Sequence, residues 1–193
     1  SVSFSVTAFP DLKNGGFTGL FAASVRVLYE KLDFGFEILK EILTESILED
    51  EKRLREILNE VRSKSQMRLM SSGHTAAVSR ATSYFSDVSY YNEITAGIDY
   101  FQSVEQWVRE FDSKKGEIIA GLKRVMGALF TRDNMTVSYT ADDEGFSYLG
   151  NAMKKLSEKL PAGSGKIYPF TAPKENLNEG FTSSSKVNYV AHC

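Results

Sequence analysis

The chain has few of the residues from which self-contained metal and catalytic centres are built. Its 193 residues include one cysteine, Cys193, and two histidines, His74 and His192. One sulfur forms neither an internal disulfide nor a thiolate metal site. The two histidines lack the i, i+4 spacing that places two metal ligands on one helix face. The sequence therefore predicts no catalytic, cofactor-binding or metal-binding residue in this chain.

Long apolar runs and an excess of one charge are also missing. No segment reaches the roughly 20 apolar residues of a membrane-spanning helix, and 23 basic residues face 25 acidic ones. The most basic stretch, residues 52–68, is interleaved with acidic side chains such as Glu56 and Glu60. This interleaving is typical of a solvated helix face with i,i+4 pairs, whereas nucleic-acid binding draws on clustered positive charge. We therefore expect neither a nucleic-acid partner nor a membrane partner.

Apolar periodicity, by contrast, runs through most of the chain. Two segments, 3–9 and 17–28, alternate as strands do, and Asn14-Gly15-Gly16 between them predicts an antiparallel pair. The period then changes to that of helices. The elements predicted after the strand pair are a helix from Leu32 to Ile47, one from the cap Asp50 to about Met70, helices over 75–85, 98–111 and 117–130, a short strand over 135–140, and a helix from the cap Asp143 to Pro161. This order predicts an α+β fold, an antiparallel sheet with several helices packed on one face.

The composition changes after residue 160. Residues 161–185 hold three of the four prolines and the triplet Ser183-Ser184-Ser185, without sustained periodicity. Residues 186–190 alternate again. We therefore predict an α+β domain over 1–160, a linker over 161–185, and the truncated first strand of a following domain over 186–193. Strand-like residues at both ends make an excised segment of a larger protein the expectation.

Two groups of polar residues admit both a chemical and a structural interpretation. Ser71 or Ser72 with His74 has the composition of a nucleophile pair, yet Ser-Ser-Gly-His also marks a break between helices, which we favour. The acidic triplets 49–51 and 142–144 suit general acid/base work only in a desolvated pocket. Because both stand where helices should begin, helix capping is the favoured interpretation.

Aromatic and glycine-rich segments give equally weak chemical signals. Tyr90, Tyr91 and Trp107 have the surfaces to stack on a ligand, but aromatic residues at helical spacing more often belong to a core. Gly163-Ser164-Gly165-Lys166 lacks the spacing of a phosphate-binding loop and the strand that precedes one. Neither signal points to a ligand site.

Several segments nevertheless occur in an order that matches one family. They are Leu32 to Ser46, the charged helix through Glu60, Met70-Ser71-Ser72-Gly73-His74, Arg80-Ala81, Ser86, Tyr91-Asn92-Glu93 and Gly97-Ile98-Asp99-Tyr100. The opening strand pair, Asn134-Met135-Thr136-Val137 and the final linker fit the same template. In this order the chain resembles the third domain of the presequence protease and falcilysin branch of the pitrilysin (insulinase-type) zinc metallopeptidases.

This resemblance implies a metallopeptidase (LuxS/MPP-like) half-enzyme domain within a four-domain chain. In that family an inverted His-x-x-Glu-His motif with a distant Glu binds zinc in the first domain, and two halves close around unfolded peptides. The resemblance thus implies a non-catalytic domain without zinc of its own, which contributes chamber wall and the interface between the halves. Its expected partners are the catalytic N-terminal half of the same parent chain and unstructured peptide substrates. Its expected compartment is the bacterial cytoplasm in preference to an organelle matrix.

Two other functions stay open on the sequence alone. A helical protein-interaction module would bind its partner without any missing domain. A catalytically inactive peptidase homologue would act as the partner subunit of an active one. The three functions differ in whether the parent gene encodes intact zinc ligands and in whether the isolated chain binds a partner.

Overall fold

A computed structural model describes residues 1–11, 16–163, 170–173, 175, 177–183 and 187–192 of the chain. Two strands pair as an antiparallel hairpin and are followed by helices, so the predicted α+β class is confirmed. The elements are β1 (Val2–Pro10), β2 (Phe17–Val25), α1 (Leu32–Thr44), α2 (Glu51–Ser71), α3 (Gly73–Ser83), α4 (Asp87–Ala96), α5 (Ile98–Arg109), α6 (Phe111–Leu129) and α7 (Asp143–Lys159). Short 3-10 turns occupy Tyr29–Lys31 and Arg132–Asn134.

The hairpin and most helices lie where the apolar period placed them. Of the predicted turn, Asn14 and Gly15 lie outside the described residues, and Gly16 adopts a φ of 85°. That left-handed conformation is open to glycine without steric cost. The sequence missed one helix, α4, because its run of polar and aromatic residues carries little apolar periodicity.

Two predicted strands are wrong. Residues 135–140 are described and form no strand, and the sheet of the described residues contains only β1 and β2. Residues 187–192 of the predicted 186–193 strand form none either, while residues 186 and 193 lie outside the described part. A strand requires a neighbour to complete its backbone hydrogen bonds, and neither segment has one here. The division into a 1–160 domain, a linker and a following domain stays a prediction.

The first of two compact units consists of Ser1–Ser5, Phe21–Glu49 and Ile119–Tyr168, the last range in its described residues. Helix α1 packs against helix α7 in this unit. Its buried apolar side chains are Leu32, Leu39, Ala152, Leu156 and Leu160. The stripe predicted for the last helix is therefore confirmed at its C-terminal end, whereas Phe146 at its start is 51% exposed.

The second unit consists of Val6–Leu20, Asp50–Ile118 and Pro169–Cys193, again in the described residues of those ranges. Helix α4 contacts both α3 and α5, and α2 packs against α5. Its buried apolar side chains are Leu58, Ala81, Val104, Phe111 and Ala172. The charged face predicted for α2 is confirmed, since it carries exposed pairs such as Lys64 with Glu60 at 2.6 Å.

Candidate functional site

The serine and histidine residues at the α2–α3 junction do not form a nucleophile pair. Helix α2 ends at Ser71 and α3 begins at Gly73, so the predicted helix break is confirmed. The Ser71 hydroxyl donates to the carbonyl of Arg68 at 3.1 Å. The His74 ring lies near the Tyr189 ring, with 5.9 Å between their centroids.

The two acidic triplets act as helix caps. Asp50 Oδ1 accepts a hydrogen bond from the Arg53 amide at 2.9 Å at the start of α2. Asp142 Oδ1 accepts one from the Gly145 amide at 2.9 Å at the start of α7. The capping interpretation is confirmed, although the second cap lies one residue before the predicted Asp143.

The predicted aromatic core is confirmed only in part. Tyr91 packs edge-on against Phe170, with 5.5 Å between the ring centroids. Its hydroxyl end lies so close to the β2 backbone that a Cβ on Gly19 would stand 2.7 Å from it. Trp107 is 39% exposed, so the core interpretation is wrong for this residue.

A cluster of charged side chains joins three helices of the second unit to the chain that follows them. It consists of Arg80 on α3, Glu93 on α4, Asp99 on α5 and Glu179. The guanidinium donates through Nε and Nη2 to the two oxygens of Glu179 at 2.6 and 2.9 Å. Its Nη1 lies 2.8 Å from Asp99 Oδ1 and 3.5 Å from Glu93 Oε1. We call these four residues the Arg80 cluster.

Glu93 is the buried member of the Arg80 cluster, with 1% of its surface exposed. Its Oε1 accepts hydrogen bonds from the amides of Ile98 at 2.8 Å and Asp99 at 3.2 Å. Those amides open helix α5, whose N-cap residue, Gly97, has no side chain. A carboxylate of the preceding helix therefore performs the capping that the cap residue itself does not.

Close packing holds the Glu93 carboxylate in that position. A Cβ placed on Gly97 would lie 2.0 Å from Glu93 Oε2. This oxygen is buried and has no hydrogen-bond partner among the described residues. Burial raises the pKa of Glu93, while the two amide bonds act in the opposite direction.

The electrostatics of the Arg80 cluster favour a permanent cation held between acids. Hydrogen bonds with Glu179 and Asp99 raise the pKa of Arg80. The Arg80 hydrogen bonds lower the pKa of Glu179, whose Oε2 also accepts a hydrogen bond from the Tyr84 hydroxyl. Burial raises the pKa of Tyr84, so that the hydroxyl keeps its proton and donates.

The space beside Arg80 is small. A cavity of about 130 Å³ is lined by Ser83, Tyr90, Pro173 and Leu177, among others. Small-molecule sites usually measure roughly 300–1,000 Å³. Among the described residues, no group of three or more His, Cys, Asp or Glu side chains is arranged to bind a metal ion. The Arg80 cluster is thus equipped to hold polypeptide and offers no catalytic chemistry.

Sequence reasoning singled out parts of the Arg80 cluster without recognising how they meet. Arg80, Glu93 and Asp99 all stand in the segments that carry the family resemblance, yet Glu179 lies in the predicted linker. One local signal was readable, because a glycine at a helix start leaves the cap to another residue, and Glu93 stands one helical turn before it. The pairing of Arg80 with Glu179 spans 99 positions, and no local pattern reports it.

Comparisons with known proteins agree with the segments that form this site. A protein-family model for the domain associated with peptidases of metallopeptidase family 16, subfamily C, matches residues 1–106. "Protein HypA" of Clostridium perfringens (strain 13 / Type A) is 28% identical over 191 residues, which are 98% of this chain and 19% of that protein. "Presequence protease 1, chloroplastic/mitochondrial" of Arabidopsis thaliana is 23% identical over 156 residues, 80% of this chain and 14% of that protein. The chain spans less than a fifth of either relative.

Bilayer crossing places its own demands on a helix. Among the helices of the described residues, none combines the length and the apolar character of a membrane-crossing segment.

Proposed function

Because the chain belongs to this peptidase-associated family, in the presequence protease branch of the pitrilysin-type peptidases, we propose that it is the non-catalytic third domain of a zinc metalloendopeptidase. The parent enzyme degrades short unfolded peptides in a chamber formed by two halves. This domain contributes chamber wall and part of the interface with the catalytic N-terminal half. The family match over residues 1–106 is the observation that carries the proposal.

Zinc belongs to another part of the parent enzyme in this proposal. The described residues offer no set of ligands that fits the metal. No step of peptide hydrolysis is therefore assigned to a side chain of this chain. The near full-length similarity to a Clostridium perfringens protein supports a bacterial parent, for which we propose a cytoplasmic location.

Exposed apolar side chains of the first unit support the interface role. Leu28 is 75% exposed and Phe34 is 63% exposed. Together with Arg26, Val27 and Lys31 they line an open groove of about 560 Å³. Apolar surface of this kind, bordered by charged side chains, commonly marks a protein–protein contact. We assign the groove to the contact with the catalytic half.

The test uses the full-length product of the parent gene. It should cleave an unstructured fluorogenic peptide, leave a folded protein intact, lose activity with a chelator and regain it with zinc. The 193-residue chain alone should cleave neither substrate. A full-length protein with replaced zinc ligands would favour the inactive-homologue alternative, and a full-length protein without peptidase activity would overturn the proposal.

The groove is tested separately in the same full-length enzyme. Leu28→Asp should lower kcat/KM by about tenfold or more without changing the thermal stability of the protein, because the side chain is already exposed. Ile47→Asp is the matched control, since Ile47 is 79% exposed in the same unit and does not line the groove. Equal activity of the two variants would remove the groove from the interface.

A further inference from the structure

We propose that the Arg80–Glu179 pair is a clasp that fixes the chain leaving the helical unit along one path. The chain concerned is described over residues 170–173, 175 and 177–183, and we call these residues the C-terminal strap. They contain no helix and no strand. All are exposed except Ala172, which is 6% exposed. A segment of this kind is held in place by its side chains, since it has no backbone ladder.

An aromatic contact holds the near end of the strap. Phe170 lies 5.5 Å from the Phe17 ring and 5.5 Å from the Tyr91 ring between centroids, edge-on to both. Edge-to-face pairs at this distance are favourable beyond the area they bury. This contact is apolar and does not depend on salt.

An ion pair holds the far end. Glu179 receives two parallel hydrogen bonds from Arg80 and a third from the Tyr84 hydroxyl. The guanidinium also lies 5.7 Å from the centroid of the Phe181 ring, two residues further along the strap. Bidentate arginine–carboxylate pairs fix geometry as well as adding energy. The far end of the strap is therefore set in both position and orientation.

Arg80 does not need the strap to be correctly placed. Its Nη1 is bound by Asp99 at 2.8 Å, and Glu93 lies 3.5 Å away, so the helices orient the guanidinium fork by themselves. Loss of the Glu179 charge should release the strap while α3, α4 and α5 keep their packing. The side chains of Arg80 and Glu179 are 14% and 25% exposed, which leaves the pair within reach of screening ions.

The clasp should withstand ordinary changes of pH. Arg80 stays charged, and its hydrogen bonds lower the pKa of Glu179. The other titratable groups around the pair are Tyr84, Glu93, Asp99 and, in the adjoining cavity, Glu175. Glu93 has a raised pKa and gains a proton first as the pH falls, which removes a competing acid from Arg80. Ionic strength, and not mild acid, is therefore the condition that should open the clasp.

Hydrogen exchange of the 193-residue chain tests the proposal. Glu179→Gln should speed exchange of the amides of 177–183 by about tenfold or more at low salt, while α3, α4 and α5 stay within about threefold of the unaltered chain. Glu175→Gln is the matched control, because Glu175 lies in the same strap and has no ion pair among the described residues. It should leave exchange of 177–183 within about twofold.

Salt provides a readout that a merely structural glutamate would not give. Exchange of 177–183 in the unaltered chain should rise between low salt and about 1 M salt, and the Glu179→Gln variant should show no such rise. Phe170→Leu should speed exchange of 170–173 and leave the salt response of 177–183 intact. Equal exchange in the unaltered chain and in Glu179→Gln would overturn the proposal. So would faster exchange of α3, α4 and α5 in the variant to the same extent as the strap.

Discussion

Substitution of Gly97 by alanine should destabilise the protein far more than its position suggests. Gly97 is an N-cap residue with φ of −92°, a conformation that alanine adopts without strain. The obstacle is space, because the added Cβ would lie 2.0 Å from Glu93 Oε2 and 2.9 Å from Glu93 Cα. The carboxylate is not free to rotate aside and still accept hydrogen bonds from the amides of Ile98 and Asp99.

The expected cost follows from what the displaced carboxylate leaves behind. A buried amide without its partner costs about 1–3 kcal/mol, and two amides at the start of α5 lose theirs. Alanine itself is a poorer N-cap residue than glycine by up to about 1 kcal/mol. Partial relaxation offsets some of this, so we expect Gly97→Ala to lower the free energy of unfolding by about 3 kcal/mol.

Urea unfolding at neutral pH measures the effect directly. The single tryptophan, Trp107, lies on α5 and reports through its fluorescence on the helix that Gly97→Ala disturbs. Gly116→Ala is the control, because Gly116 lies inside α6 and a Cβ there meets nothing within 4 Å. The control should stabilise the protein by about 0.5–1 kcal/mol. A loss below about 1 kcal/mol for Gly97→Ala would refute the assignment of Glu93 as the cap of α5.

Three further changes test the caps, the packing of the first unit and the clasp. Asp50→Ala should cost about 1 kcal/mol in urea unfolding, because the amide of Arg53 loses its acceptor. Gly145→Ala should lower the melting temperature through a loss of about 1–3 kcal/mol, since its Cβ would stand 2.7 Å from the Tyr29 ring; an unchanged melting temperature would show that the contact yields. The stabilisation from Glu179 should be complete above its unfolded pKa, near 4.5, and should fade as the pH drops through its lowered folded pKa. Urea unfolding of Glu179→Gln and the unaltered chain should therefore differ at neutral pH and converge in acid, and a constant difference would contradict this.

The residues that carry the family resemblance have a physical role in this structure. Arg80, Glu93, Gly97 and Asp99 are the parts of one charged and closely packed junction between α3, α4 and α5. Glu93 needs Gly97 for space, α5 needs Glu93 for its cap, and Arg80 offsets the acids on either side. Each residue type is thus required by its neighbours, which explains why these positions are recognisable without any catalytic chemistry.

Local physics let the sequence determine the positions of most elements. The hairpin strands, the helix from Leu32 and the cap at Asp50 depend on period and on contacts within a few residues, so they are readable from the chain alone. The break after Ser71 is of the same kind, since it follows from neighbouring residues. The strand expected over 135–140 failed because a strand is completed only by a neighbour, and its apolar alternation says nothing about whether one is present.

The tertiary structure alone decided what the charged side chains do. Glu93 reads in the sequence as an ordinary acidic residue of a helix, yet it is 1% exposed and caps another helix. Arg80 meets Glu179 across 99 positions, and Trp107 faces outward where helical spacing suggested a core. Period and capping arise from bonds between near neighbours, whereas burial and ion pairing depend on which distant segments fold together. That is why the sequence determined the helices and only the fold determined the cluster.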